Sequence, residues 1–303
     1  ADNHMLFDRV RGATKDMHSN TTAAEVTNVN TLQRFLEAGV QVGNDVEVNT
    51  ANESYVLWNF MAEATGSGTL NEVGSIDSTV LVDTTLGMSV GTFTGSGSNA
   101  TVGHGLGVAP EMVIVKSTTG TAQWATYHIG KGATAAMMLD DTTPGTVSAG
   151  YFNNTAPTSS VFSVGTSSYT NGTTTMMFVA FAPSQFISIG SYEGNGSATD
   201  GTFVPTLNSL GVPLQPIWTM TKNIDTTSDW AIFDAARDPY NVVGEILFAS
   251  DPGAEIASSK MDYVNGGIKM RSNSPYTNSA QTLIHLTIGT PIIDVDGRII
   301  AGR

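Results

Sequence analysis

Apolar residues along this chain gather into short runs separated by turn-forming residues. Residues 112–116 (MVIVK) are apolar at four successive positions after Ala-Pro, the pattern of a strand buried on both faces. Residues 217–222 (IWTMTK), also after a proline, read the same way. Residues 161–164 (VFSV) and 268–270 (IKM) alternate apolar with polar, as a half-buried strand does. Residues 55–61 (YVLWNFM), 176–182 (MMFVAFA) and 283–288 (LIHLTI) share one apolar character and predict three further strands. Turn chemistry lies between them in Thr170-Asn171-Gly172, Gly194-Asn195-Gly196 and Asn265-Gly266-Gly267. Near the end, Asp296-Gly297 sits between mirrored apolar pairs and predicts a hairpin. Helical periodicity is thin. Residues 30–38 (NTLQRFLEA) allow two helical turns, with Asn30 or Thr31 as cap and Gly39 as terminator. The competing reading is a loop that ends in a strand, because the matching positions further on look extended.

The runs recur in order. SVGTFTGSGS at 89–98 returns as SIGSYEGNGS at 188–197. WATYHIGKGATAAM from Trp124 returns loosely as WAIFDAARDPYNVV from Trp230, and its second half appears as FDRVRGATKDM from Phe7. NESYVLWNFMA from Asn52 recurs from Asn171 and again from Asn278. A period of about 100 residues is too long for a solenoid coil or a propeller blade, so the repeated unit is expected to be a whole domain. The expected division is a C-terminal half-repeat over 1–63, a linker over 64–87, repeats over 88–186 and 187–291, and a hairpin tail over 292–303. The chain has no initiator Met and its first copy opens midway, which suggests a part or a processed form of a longer product. Short strands and frequent turns predict an all-β fold of tandem antiparallel β-sandwiches, jelly-roll or immunoglobulin-like, with little helix. Trp124 and Trp230 are expected at equivalent core positions, the alternative being exposed platforms for sugar stacking.

Composition narrows the function. The 303 residues are 40% hydrophobic, enough for packed cores, but only 13% charged, with 32 glycines. Net charge is −14, from 13 Lys+Arg against 27 Asp+Glu. Such a polyanion repels phosphate backbones and anionic lipid surfaces, so neither nucleic acid nor membrane insertion is expected. The absence of cysteine removes disulfides, thiolate catalysis and zinc–thiolate sites. No apolar run reaches the roughly 18 residues of a membrane span.

Motifs with catalytic associations are weak. His104-Gly105-Leu106-Gly107 lacks the Lys-Ser/Thr and the following helix of a phosphate loop. The histidines, His4, His18, His104, His128 and His285, show no metal-site spacing on a helix. His128 is matched by Asp8 and Asp234, and pairing of such an Asp with Arg9, Arg11 or Arg237 would be structural. His285 falls in an apolar strand and is expected to be packed. Adjacent Asp140 and Asp141 would face opposite sides of a strand, and a solvated turn is the plainer reading. No nucleophile elbow occurs. Asp294-Val295-Asp296-Gly297 opens like a calcium loop, but Arg298 stands where an oxygen ligand is needed. Six Asn-x-Ser/Thr triplets, at Asn20, Asn52, Asn99, Asn153, Asn171 and Asn195, are expected by chance in so polar a chain. No catalytic, cofactor or metal residue is therefore assigned, and any surface-recognition residues are unknown.

The long phrases GSGSNATVGHGLGVAPEMVIVK, NNTAPTSSVFSVGT, RDPYNVVG and GTPIIDVDGRIIAGR resemble a tandem domain of unknown function found in virion proteins of marine bacteriophages, often tail or tail-fibre proteins. The resemblance implies a β-rich, non-enzymatic component of the virion surface. On that reading the chain is a tail-fibre or adhesin segment whose loop Asn, Thr, Tyr and Trp residues meet a bacterial surface glycan or receptor. Its other partners would be virion proteins and further copies of itself, with a trimer as the expected fibre state. The alternative is a decoration or head-fibre protein coating the capsid.

Overall fold

The structure, a computed structural model, describes residues 2–37, 39–60 and 66–293. It is mostly β, 44% strand and 4% helix, and every strand ladder is antiparallel, as the alternation of apolar runs and turns predicted. A first segment holds β1 (Met5–Asp8), β2 (Gly12–His18), β3 (Val26–Thr27), β4 (Leu32–Leu36), β5 (Gly39–Val42) and one helical turn, α1 (Val46–Asn49). The middle segment runs through β6 (Thr69–Asn71), β7 (Ser78–Asp83), β8 (Met88–Thr94), β9 (Ala100–Gly103), β10 (Met112–Ser117), β11 (Ala125–His128), β12 (Ala135–Met138), β13 (Thr146–Val147), α2 (Ala149–Phe152), β14 (Val161–Val164), α3 (Ser168–Asn171) and β15 (Thr175–Phe181). The last segment holds β16 (Ile187–Glu193), β17 (Phe203–Pro205), β18 (Leu214–Asn223), β19 (Ala231–Asp234), β20 (Val243–Phe248), β21 (Ile256–Val264), β22 (Gly267–Met270) and β23 (Thr282–Pro291).

The middle segment is an eight-stranded sheet, β13-β12-β11-β10-β15-β8-β7-β6, faced by the pair β14-β9. The last is a nearly closed barrel, β16-β23-β18-β19-β20-β21-β22-β17. Their common part has one order, β12-β11-β10-β15-β8 matching β20-β19-β18-β23-β16, and one register: Met176 sits opposite Phe93 as Leu283 sits opposite Tyr192. Alternation along these strands sends one set of side chains inward and the other outward. Inward, Phe93, Phe162 and Phe178 pack edge-on or tilted with centroids 5.0–6.4 Å apart. Tyr192, Phe233, Met261 and Met270 fill the barrel. Outward, Met112, Ile114, Met177 and Phe181 meet Trp218, Met220, Ile284 and Leu286 in one central apolar cluster, which also takes Met17 of the first segment.

Several expectations are revised. Part of the expected linker is structured: β6 and β7 fall within 64–87 and extend the middle sheet, because 78–83 (STVLVD) alternates in register with β8. Residues 32–36 form strand β4, paired with β5, which bears out the loop-to-strand reading of 30–38 over the helical one. Asn28 instead caps a turn through Asn30 N–H (2.9 Å), as Ser148 caps α2 through Gly150 N–H (3.1 Å). Residues 55–60 run without a ladder partner among the described residues, so that part of the expected 55–61 strand is not realised. The predicted hairpin and the calcium-loop motif at 294–297 lie outside the described residues.

The Gly-Ser/Asn-Gly phrases are explained by a pinned turn. A Cβ on Gly95 would lie 1.9 Å from the Gly172 carbonyl, and one on Gly194 1.9 Å from the Ser279 carbonyl. Buried Asn171 accepts from Ser96 N–H (2.8 Å) and donates to the Ser98 and Gly165 carbonyls (2.6 and 2.8 Å). Asn278 repeats this, accepting from Asn195 N–H (3.2 Å) and donating to the Ser197 carbonyl (2.9 Å). Urea unfolding is expected to show Gly194→Ala losing about 1–3 kcal/mol through forced overpacking. Gly120→Ala, whose new methyl would meet no atom closer than 3.8 Å, should stay within about 0.5 kcal/mol.

Candidate functional site

The residues singled out by repetition converge on the joints between segments. Trp124 and Trp230 are buried, which excludes the sugar-platform reading. Trp124 Nε1–H donates to the His18 and Thr21 carbonyls of the first segment (2.9 and 3.1 Å). Trp230 Nε1–H donates to the Met138 carbonyl of the middle segment (2.9 Å). His18 ends β2 and Met138 ends β12, so the two joints use matching acceptors. At the matching position the first segment carries His4, whose Nε2 lies 2.9 Å from the Asp251 carbonyl of the last segment, just beyond β20. Burial lowers the His4 pKa, which favours the neutral ring. Middle on first, last on middle and first on last, the contacts form a closed cycle.

Buried lysines reinforce two of these joints. Lys116 Nζ donates to the Thr22 and Ser117 carbonyls (both 3.2 Å) and lies 5.9 Å from the Trp124 ring centroid. Lys222 Nζ donates to the Thr142 carbonyl (2.7 Å) and to that of Ser228, 6.0 Å from the Trp230 ring. Burial brings each ammonium down to about 8 against the opposing pull of Asp140 and Asp229, respectively. Sequence reasoning missed these lysines as a pair. The signal was the single Lys closing each both-faces-buried strand, in MVIVK and IWTMTK.

The other titratable candidates are also engaged in packing. His128 Nε2 meets the His285 carbonyl (3.2 Å) and its Nδ1 accepts from Gly130 N–H (3.0 Å). Burial takes His128 down to about 3 and His285 to about 4, so both rings are neutral near pH 7. His104 Nδ1 accepts from Leu106 N–H (3.2 Å) and its Nε2 faces the Thr158 carbonyl (3.1 Å), fixing the loop before β10. His18 Nε2 stands 3.6 Å from Glu47. Asp234 takes Arg237 Nε at 2.6 Å, and Asp8 takes Arg11 in the same i, i+3 arrangement, as the sequence suggested; Arg9 instead lies 5.4 Å from the Phe35 ring. Trp58 Nε1–H donates to Asp234 (3.1 Å) and tightens the first-to-last contact. Asp140 accepts from Trp124 N–H (2.9 Å) while Asp141 accepts from Thr143 N–H (2.8 Å), so the two carboxylates serve separate turns. Trp218 is buried and Trp58 half-buried, so no tryptophan forms an exposed glycan platform, although Tyr240 is 84% exposed. No group of three metal-ligating side chains occurs among the described residues.

The geometry also contains an open apolar cavity of about 320 Å³, set between the first segment and the outward faces of the other two. Its walls include Phe7, Leu32, Val40 and Leu57 on one side and Ile114 and Trp218 on the other.

Two outcomes follow from the joints. Trp230→Phe removes one of two donors to the Met138 carbonyl, which keeps Asp141 N–H at 3.2 Å, and should cost about 0.5–1.5 kcal/mol in denaturant unfolding. The buried neutral histidines bind protons only in the unfolded chain between about pH 4 and 6.5, so stability is full above pH 6.5 and falls on acidification. His285→Phe, which installs the residue found at the matching Phe178, should flatten that loss in melting curves between pH 7.5 and 4.5.

No curated protein and no solved structure matches the chain. A family model described as Domain of unknown function (DUF7483) matches residues 1–289. The chain therefore belongs to that family, whose match takes in all three segments of the ring.

Proposed function

We propose that this chain is a non-enzymatic structural component of a marine bacteriophage virion, a tail-fibre or adhesin segment at the particle surface that contacts the host. The observation that carries the reading is where the repeated chemistry goes. The tryptophans, the buried lysines and His128 close joints between segments, where a hydrolase would need acid and base groups converging on a cleft. A weakly charged, net acidic exterior suits a particle that must stay dispersed in salt. Contact with a surface glycan or receptor would fall to exposed loop residues such as Tyr240 and the Asn- and Thr-rich turns.

One observation favours a second reading, a decoration protein on the capsid shell. A ring of segments closed within one polypeptide needs no intertwining with two other chains, whereas fibres gain their seam from such trimers. Light scattering of the purified chain discriminates: a trimer supports the fibre and a clean monomer counts against it. Gold-labelled antibody on phage particles is expected to mark the tail at low copy number. Dense labelling of the head would transfer the chain to the shell, and unlabelled particles would end both readings. Release of reducing sugars from host polysaccharide by the purified protein would contradict a non-enzymatic role.

A further inference from the structure

The three segments share one strand pair and differ in the loop that joins it. Thirteen positions separate Met5 from its ladder partner His18 and Ala125 from Met138, but seventeen separate Ala231 from Phe248. The last segment thus carries four additional residues in the loop 235–244 (AARDPYNVVG). The other two segments close the same strand pair without them, so the shared packing does not require the added length. In a repeated scaffold, binding surfaces are built on loop insertions of this kind.

The loop is pinned along its length. Arg237 pairs with Asp234 and Glu255, both at 2.6 Å. Asp238 Oδ2 accepts from Gly244 N–H (2.7 Å) and Glu245 N–H (2.6 Å). Asn241 Nδ2 donates to the Tyr263 carbonyl (2.9 Å), and its Oδ1 accepts from Tyr263 N–H (2.8 Å). Between these anchors Tyr240 stays 84% exposed. Tyr240 also lines a pocket of about 110 Å³, which the loop forms with Gln215 of β18 and Tyr263 of β21. The Tyr263 hydroxyl is engaged by the Phe233 carbonyl (3.1 Å). The Tyr240 hydroxyl, the Gln215 side-chain amide and Asp238 Oδ1 make no hydrogen bond among the described residues. The pocket therefore offers one aromatic ring, one amide that both donates and accepts, and one carboxylate oxygen that accepts.

We propose that this pocket binds an uncharged sugar residue of a glycan, with Tyr240 stacked on the ring carbons and Gln215 and Asp238 holding its hydroxyls. A pyranose has an apolar face of C–H groups and a rim of hydroxyls that both donate and accept, which is the complement of this set. A tyrosine on a pinned loop supplies contact area at little entropic cost, and the polar groups fix orientation. The Asp238 carboxylate and the net charge of −14 disfavour sialylated, uronic or sulfated sugars. The inference deepens the host-contact reading above and rests on it, since it gives that contact a place and a ligand class.

The test is saturation-transfer NMR of the intact chain with a panel of neutral hexose and N-acetylhexosamine oligosaccharides, beside sialylated and uronic ones. The expected result is saturable transfer to at least one neutral oligosaccharide and none to the acidic set. Tyr240→Ala should weaken that binding about tenfold, the loss expected of an aromatic anchor, and leave the melting temperature unchanged. Tyr240→Phe keeps the stacking face and should stay within about twofold. Gln215→Ala should cost about fivefold through its lost hydrogen bonds. The proposal is overturned if no neutral sugar gives saturable transfer, if acidic sugars bind equally well, or if Tyr240→Ala binds as the unaltered chain does. Its failure is separable from that of the virion reading: labelled particles whose protein binds no sugar overturn this site alone, and sugar binding lost in Tyr240→Ala by a chain absent from particles supports the site and ends the virion reading.

Discussion

Burial of the outward sheet faces in one central cluster is the constraint on which the architecture rests. A strand buried on both faces cannot be left at a solvent boundary, because the apolar area of its second side then stays in water. β10 and β18 are such strands, and their outward residues meet only because the segments close on one another. The indole donors and lysine ammoniums then satisfy the carbonyls that this closure strips of water. Burial supplies the drive and these bonds supply the orientation.

Much of this was legible in the residues. MVIVK and IWTMTK announce two-sided burial, and the repeated apolar run at 176–182 and 283–288 announces the strand they flank. The GSGS and GNGS phrases announce a turn that tolerates no side chain, and the structure shows the carbonyls responsible. The matched Trp124 and Trp230 announce packing. What they pack against was hidden, because a sequence repeat records the donor side of a joint and says nothing of which neighbouring copy supplies the acceptor. Acceptors here are backbone carbonyls, which any residue provides, so His18, Thr21 and Met138 carry no signature.

Residues 30–38 carry helix-forming Leu, Gln, Arg and Glu, yet the loop-to-strand reading holds, because pairing with 39–42 overrides that propensity. The misreadings have similar causes. Residues 64–87 read as a linker because Gly, Ser and Thr dominate them, although STVLVD in the same stretch alternates and finds β8 as its partner. Residues 55–60 have strand composition without strand pairing, since a ladder depends on neighbours as well as on propensity. The cavity left no trace in the sequence, being an arrangement of ordinary core residues without their usual cover.

The direction of the joints has a further meaning. Each segment presents a donor edge to one neighbour and an acceptor edge to the other, a head-to-tail relation of the kind that makes filaments when it fails to close. Here it closes after three steps, with His4 standing in where the other two segments use indoles. Among the described residues each of the three donors already meets an acceptor, so each joint holds the other two in place.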